Sequence, residues 1–332
     1  MSALSKILLV ISFVIVSNQA SAELSLNGVK QVFADMDWDE VNRGQVVDLS
    51  LGDREGSDAE LAMLFAAKVD APLRDVLDAM HAPGGDSKKY SIDISSSETI
   101  ASSLQHWINN NRDSQLTDWF YQPENDGTFN VSGEELARFK ESAKKAKASG
   151  SDQVIYDAIK TMLQTRIHDY VSKGMAGIQA YDIKGKQVDT GGALASSVKD
   201  LSLLKKSEPE FYSAFVNFPQ QGSDDIQNEF FLISEMEGGR PILSLVHWIY
   251  TMKDDHALIV ERKYYISHTL DAMHTYIFMQ QQDASTVVVM GNSTFTQKVT
   301  GMGSFIAHKV GRANVASNIK PILSGLQNKF NK

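Results

Sequence analysis

The sequence predicts an α+β fold: an antiparallel sheet and a long C-terminal helix, with a mainly helical stretch between the first strands and the rest. Three observations predict it. From Asn228 onward, apolar residues recur at every second position between short polar turns, the rhythm of strands. From Ile306 to the end they recur near helical spacing. Between 81 and 227 the helical rhythm dominates.

Taken in order, 45–51 (QVVDLSL) alternates and reads as a strand, whereas 61–69 (LAMLFAAKV) is apolar throughout and fits strand or helix. Pro72 marks a break, after which Leu73, Val76, Leu77 and Met80 form one face of a short helix. Short aromatic-bearing pieces follow at 104–108 and 116–121. Ser132 and Glu135 form a capping box that opens a helix over 134–148. A longer helix over 152–173 places Ile155, Ile159, Met162, Leu163, Ile167 and Tyr170 on one stripe, and Gly174 ends it. Further helices are predicted over 195–206 and 210–218, with Pro219 as the stop.

The strands come next. Phe230, Leu232, Ser234 and Met236 share one side of the first. Gly238-Gly239 turns the chain into 241–252, Lys253-Asp254-Asp255 turns it into 258–270, and Asp283-Ala284-Ser285 precedes 286–296. Gly301 and Gly303 open the final helix, in which Ile319, Leu323, Leu326 and Phe330 keep the spacing and Pro321 is expected to introduce a kink.

The stretch AAKVDAPLRDVLDAM (66–80) and the strand–strand–helix order from 228 to 330 resemble the START-like, helix-grip (polyketide cyclase-like) superfamily. On that likeness 23–80 supplies the first strands and short helix, 81–227 is a mainly helical insertion that ordinary members lack, and 228–332 completes the domain. The resemblance implies an apolar ligand held between the curved sheet and the last helix, in a class that also includes enzymes. YYISHTLDAMHTY (264–276) with TFTQKVTGMGSFIAHKVGR (294–312) also looks like a group of exported bacterial proteins, a likeness that implies no activity.

Composition narrows the setting. Lys6, the apolar run ILLVISFVIV and Ala20-Ser21-Ala22 read as a secretory signal over 1–22, cleaved between Ala22 and Glu23, which predicts a periplasmic or secreted protein. The apolar run is shorter than the ~20 residues a membrane span requires. The chain has no cysteine, which excludes disulfides, thiolate nucleophiles, iron–sulfur clusters and a cysteine-linked lipid. A net charge of −9 argues against nucleic acid. After Asp283 there is no acid, while Lys298, Lys309, Arg312, Lys320, Lys329 and Lys332 make the end wholly basic. Lys309, Arg312 and Lys320 are therefore candidates for an anionic membrane surface, unless the tail simply complements the acidic body.

The most informative strand is 258–270. Straight alternation puts Leu258, Val260, Arg262, Tyr264, Ile266, His268 and Leu270 on one side, read here as the inner face. The neighbouring strand offers Val246, Trp248, Tyr250 and Met252. An apolar cavity containing Arg262, Tyr264, His268, Trp248, Tyr250, Phe230 and Leu232 suits an amphipathic ligand with an acidic head. The alternative is a solid core in which Arg262 pairs with a carboxylate. His247, His268 and His274 lack zinc-motif spacing, and Ser267, His268, Asp271 and His274 are triad residue types on opposed strand faces, so neither a metal nor a catalytic set is assigned.

These observations predict an exported protein that carries a lipid or other apolar molecule, without chemistry or cofactor. Two alternatives remain open: an envelope interaction or assembly module with a filled core, and an enzyme using Arg262, His268 and Tyr250. A continuous void above ~300 Å³ distinguishes the carrier from the module.

Overall fold

The computed structural model describes residues 24–330 apart from 82–87, 111–113, 125–126, 199–200, 221 and 238–239. The predicted signal segment 1–22, its cleavage site and the Gly238-Gly239 turn lie outside the described residues.

The described residues begin with two short helices the sequence pattern did not suggest, α1 (Leu26–Val32) and α2 (Trp38–Asn42). Each is capped by a side chain: Ser25 accepts from Gly28 N–H, and Asp37 from Glu40 N–H. β1 (Val47–Ser50), β2 (Glu60–Val69), α3 (Leu73–His81) and β3 (Lys88–Ser91) follow. Next come α4 (Ser97–Asn110), α5 (Ser114–Tyr121), α6 (Gly133–Ser149) and α7 (Gln153–Lys173), then a small hairpin of β4 (Tyr181–Ile183) and β5 (Lys186–Val188). α8 (Thr190–Ser197), α9 (Ser202–Ser207) and α10 (Pro209–Val216) complete the helical part. The chain then runs through β6 (Gln227–Glu237), β7 (Arg240–Met252), β8 (His256–Ile266), β9 (Ala272–Gln282) and β10 (Ser285–Phe295) into α11 (Ser304–Phe330).

Eight strands form one curved, open antiparallel sheet in the order β1-β2-β10-β9-β8-β7-β6-β3. With α11 beside it, the α+β architecture is the expected one, and its order of elements is compatible with a helix-grip fold. The ambiguous segment 61–69 is a strand. It is apolar throughout because β2 lies between β1 and β10, buried on both faces.

Both faces of the sheet are covered. On one, Ile319, Leu323 and Leu326 of α11 and Leu73, Val76 and Leu77 of α3 pack against Phe65, Ala257, Ile259, Ile277, Met279, Val288 and Met290. Gly311 lets α11 approach closely, since a Cβ there would come within 2.7 Å of the Leu61 side chain. On the other face, the insertion covers Phe230, Leu232, Leu243, Leu245, Tyr264 and Tyr265. α1, α2 and α10 cover Leu64, Ala66, Ile249, Leu258, Val260 and Phe278 on that same side.

Two details differ from the predicted strand and helix boundaries. The helix expected over 195–206 is two helices, because Asp189 caps an earlier start at α8 through Gly192 N–H and α9 begins anew at Ser202. The strand expected to reach 270 ends at Ile266. Thr269 turns the chain with φ +73°, and an unpredicted strand, β9, begins at Ala272. The final helix runs from Ser304 through Pro321 to Phe330.

Candidate functional site

The straight alternation of β8 fails at one residue. Lys263 pairs with Val246 and Tyr265 with Leu245, so Tyr264 is an extra residue in a β-bulge. The bulge puts Tyr264 and Tyr265 into the same core beneath the insertion. Sequence alone gives no sign of this slip, because both neighbours are tyrosine.

Arg262 lies just before the bulge, fully buried, on the insertion face and not between sheet and α11. Among the described residues its partners are neutral groups, none of them a carboxylate. Its Nε–H donates to His274 Nε2 (2.8 Å), Nη1 to the Tyr170 hydroxyl (2.7 Å) and Nη2 to the Phe215 carbonyl (2.9 Å). With Nε2 accepting, His274 holds its proton on Nδ1 and donates to Ser197 Oγ (2.8 Å) or the Tyr276 hydroxyl (3.0 Å). The Tyr170 hydroxyl in turn donates to His247 Nδ1 (2.8 Å), and His247 Nε2–H donates to Asn228 Oδ1 (2.9 Å).

Every proton in this chain points away from the guanidinium, the arrangement that neutral acceptors around a fixed cation require. Burial, with the charge of Arg262 second, holds His247 and His274 well below the usual imidazole range. Burial raises Tyr170, while Arg262 draws it back. The network ties α7, α8 and α10 of the insertion to β6, β7, β8 and β9.

The predicted site residues therefore divide. Phe230, Leu232, Arg262 and Tyr264 come together beneath the insertion, where Tyr264 stacks on Tyr170 at 3.9 Å and Phe230 on His247 at 4.2 Å. Trp248 and Tyr250 point to the opposite face, each edge-on to His81, with Lys89 Nζ over the Trp248 ring at 3.9 Å. Trp248 donates to Glu261 (2.7 Å) and Tyr250 to Glu229 (2.9 Å). His268 lies past the strand end, within hydrogen-bond reach of Thr269 Oγ1 (2.7 Å) and the Pro241 carbonyl (3.0 Å). One cavity containing all seven is thus not formed. The opposed faces of the sheet and the bulge separate them.

Sequence reasoning also missed a buried pair. Arg166 on α7 grips Glu135 through Nε (2.8 Å) and Nη2 (2.6 Å). The same carboxylate accepts the Ser132 N–H of the predicted capping box (2.7 Å).

A cleft of about 350 Å³ opens where the loop before β2, the end of β5, the start of α8 and the end of β10 meet. Ala59, Val188, Ala193 and Phe295 give it apolar walls. Asp271, Lys186 and Gln297 supply the polar end. Asp271 is largely buried; its Oδ2 accepts the Gln297 N–H (2.9 Å), and Lys186 Nζ donates to Gln297 Oε1 (3.1 Å). Burial pushes the Asp271 carboxyl up to about 6, against the Gln297 N–H and the charges of Lys298 and Lys186. Apart from Asp271, one of the triad residue types, no residue singled out from the sequence lines this cleft. Its walls come from four separate segments, and no local spacing could reveal it.

The basic tail is partly committed to the protein itself. Arg312 clasps Glu55 through Nη2 (2.7 Å to each oxygen), and Lys320 pairs with Asp48. Lys309 is exposed. Among the described residues, no helix is long and apolar enough to cross a membrane. Compared with family models, curated proteins and solved structures, the chain matches none.

Proposed function

We propose that the protein is an exported, START-like binding protein that holds a small amphipathic molecule in the cleft beside Asp271 and does no chemistry on it. The observation that carries the reading is the cleft's make-up: apolar walls of Ala59, Val188, Ala193 and Phe295 closing on one largely buried carboxyl. An apolar concavity with few convergent polar groups and a perturbed titratable residue is the general form of a ligand site. One Asp271 oxygen is taken by Gln297 N–H, which leaves the other for a ligand hydroxyl or amide.

Among the described residues lining the cleft, the Thr190 and Ser196 hydroxyls and the Asp189 carboxylate are turned to other partners than Asp271, which favours binding over catalysis. Asp189 caps Gly192, Ser196 Oγ donates to the Ala193 carbonyl, and Thr190 Oγ1 donates to the Gln179 carbonyl. None of them is poised as nucleophile or base toward Asp271. The place where the resemblance expects a ligand, between the sheet and α11, is occupied by packed side chains. That filled interior favours the second reading, an envelope interaction module. Native mass spectrometry of the purified protein, with solvent extraction, separates the two. A bound small molecule on the wild type, absent from Ala193→Trp, is the expected result. An empty wild type, or an adduct that survives Ala193→Trp, would overturn the cleft reading.

A further inference from the structure

The start of α11 carries an apolar face that none of the described residues covers. Met302 is 106 % exposed, Phe305 83 %, Ile306 68 % and Val310 54 %. Together with Lys309 they fall at i, i+3, i+4, i+7 and i+8, a single stripe along one side of the helix and its lead-in. Gly301 and Gly303 flank Met302 with φ of +87° and +86°, a conformation glycine adopts without strain, and neither has a neighbour within 4 Å of its Cβ position. The opposite side of the helix is the one that packs, at Gly311, on Leu61 and Val299.

The charges around this stripe select its partner. Lys309 lies within it and Lys298 stands exposed just before it. Of the nearby acids, Glu55 is engaged by Arg312 and His308, and Asp58 is the exposed acid on the loop whose carbonyl meets His308 (2.9 Å). No acid follows Asp283. Large apolar side chains interleaved with lysines, on a helix too polar to span a bilayer, have the composition of an interfacial segment.

We propose that residues 301–310 dock the protein on an anionic lipid surface, with Met302, Phe305, Ile306 and Val310 entering the acyl boundary and Lys298 and Lys309 meeting the head groups. Arg312 and Lys320, already paired with Glu55 and Asp48, hold the helix to the body instead. Docking would also bring the Asp271 cleft to the membrane, because the 55–59 loop serves both places: Gly56, Ser57 and Ala59 line the cleft while the Asp58 carbonyl meets His308. A molecule leaving the bilayer would then have a short way to travel.

The test is co-sedimentation of the full chain with vesicles of phosphatidylcholine, alone or mixed with phosphatidylglycerol, at low and high salt. Binding to the mixed vesicles that weakens with salt is expected. Phe305→Ser/Ile306→Ser should lower the partition coefficient by at least ~10-fold, since each buried large side chain is worth about that much. Lys309→Glu should lower it by at least about fivefold on mixed vesicles only. Both sites are exposed, so thermal melts of the variants should match the wild type. Ala193→Trp should bind vesicles normally, which separates this proposal from the cleft reading. Wild-type protein that ignores anionic vesicles, or a serine double variant that binds as well as wild type, would overturn it. So would self-association without vesicle binding that the same double variant abolishes, because the stripe would then join two copies of the chain.

Discussion

Acidification should expose the two histidines around Arg262. His247 and His274 are both held well below the usual imidazole range, chiefly by burial and then by the guanidinium. In the unfolded chain each recovers a value of ~6.5. The folded state therefore binds fewer protons, so the stability these rings contribute is complete above that value and is lost as pH falls through it. Between pH 7 and pH 5 two rings that stay neutral in the fold cost ~4 kcal/mol. Asp271 works in the opposite sense. Its folded value of about 6 lies above the unfolded carboxyl value, so it takes up a proton on the folded side and returns ~1 kcal/mol over the same interval. The net expectation is a loss of ~3 kcal/mol in the wild type. Asp271→Asn should steepen the loss to ~4 kcal/mol, and His247→Gln/His274→Gln should abolish it and leave the ~1 kcal/mol gain from Asp271. Urea unfolding at a series of pH values, extrapolated to water, measures each slope. A double histidine variant with the wild-type slope would refute the assignment of neutral rings beside a buried cation.

Two further predictions concern the core. The Tyr264 hydroxyl is buried without a hydrogen-bond partner among the described residues, so Tyr264→Phe should leave the fold intact and raise its stability by ~1 kcal/mol in the same urea assay. Burial pushes this hydroxyl well above the usual phenol range, with Tyr170 adding to it, and its removal should leave the pH slope unchanged. Glu135→Gln leaves Arg166 without its buried counter-charge and weakens the α6 cap, and should cost ~3–5 kcal/mol by thermal or chemical melting.

What could be read from the sequence was periodic or local. The capping box at Ser132 and Glu135, the stripe of α7, the glycines that open α11 and the polar turn at Lys253-Asp254-Asp255 each act within a few residues, and each appears at or near its predicted place. The side facing α11 could not be read, because the sheet is covered on both faces and its strands are apolar on both. An inner face argued from Leu258, Val260 and Arg262 had no polar side to contrast with. The bulge at Tyr264 then shifted the phase of the residues beyond it. For Arg262 the sequence suggests a ligand's acidic head or a protein carboxylate. Its acceptors come from residues 170, 215 and 274, separated from it by up to 92 positions, and no local pattern could name them. The Asp271 cleft is non-local in the same way.

The central claim is that an amphipathic molecule occupies that cleft. Calorimetric titration of the purified, solvent-extracted protein with decanol, decanoate and decylamine, three probes that differ only in head group, tests it most directly. Decanol should bind the wild type, more weakly to Asp271→Asn and not at all to Ala193→Trp. Heat from none of the three, or equal binding of decanol to Ala193→Trp, would contradict the account.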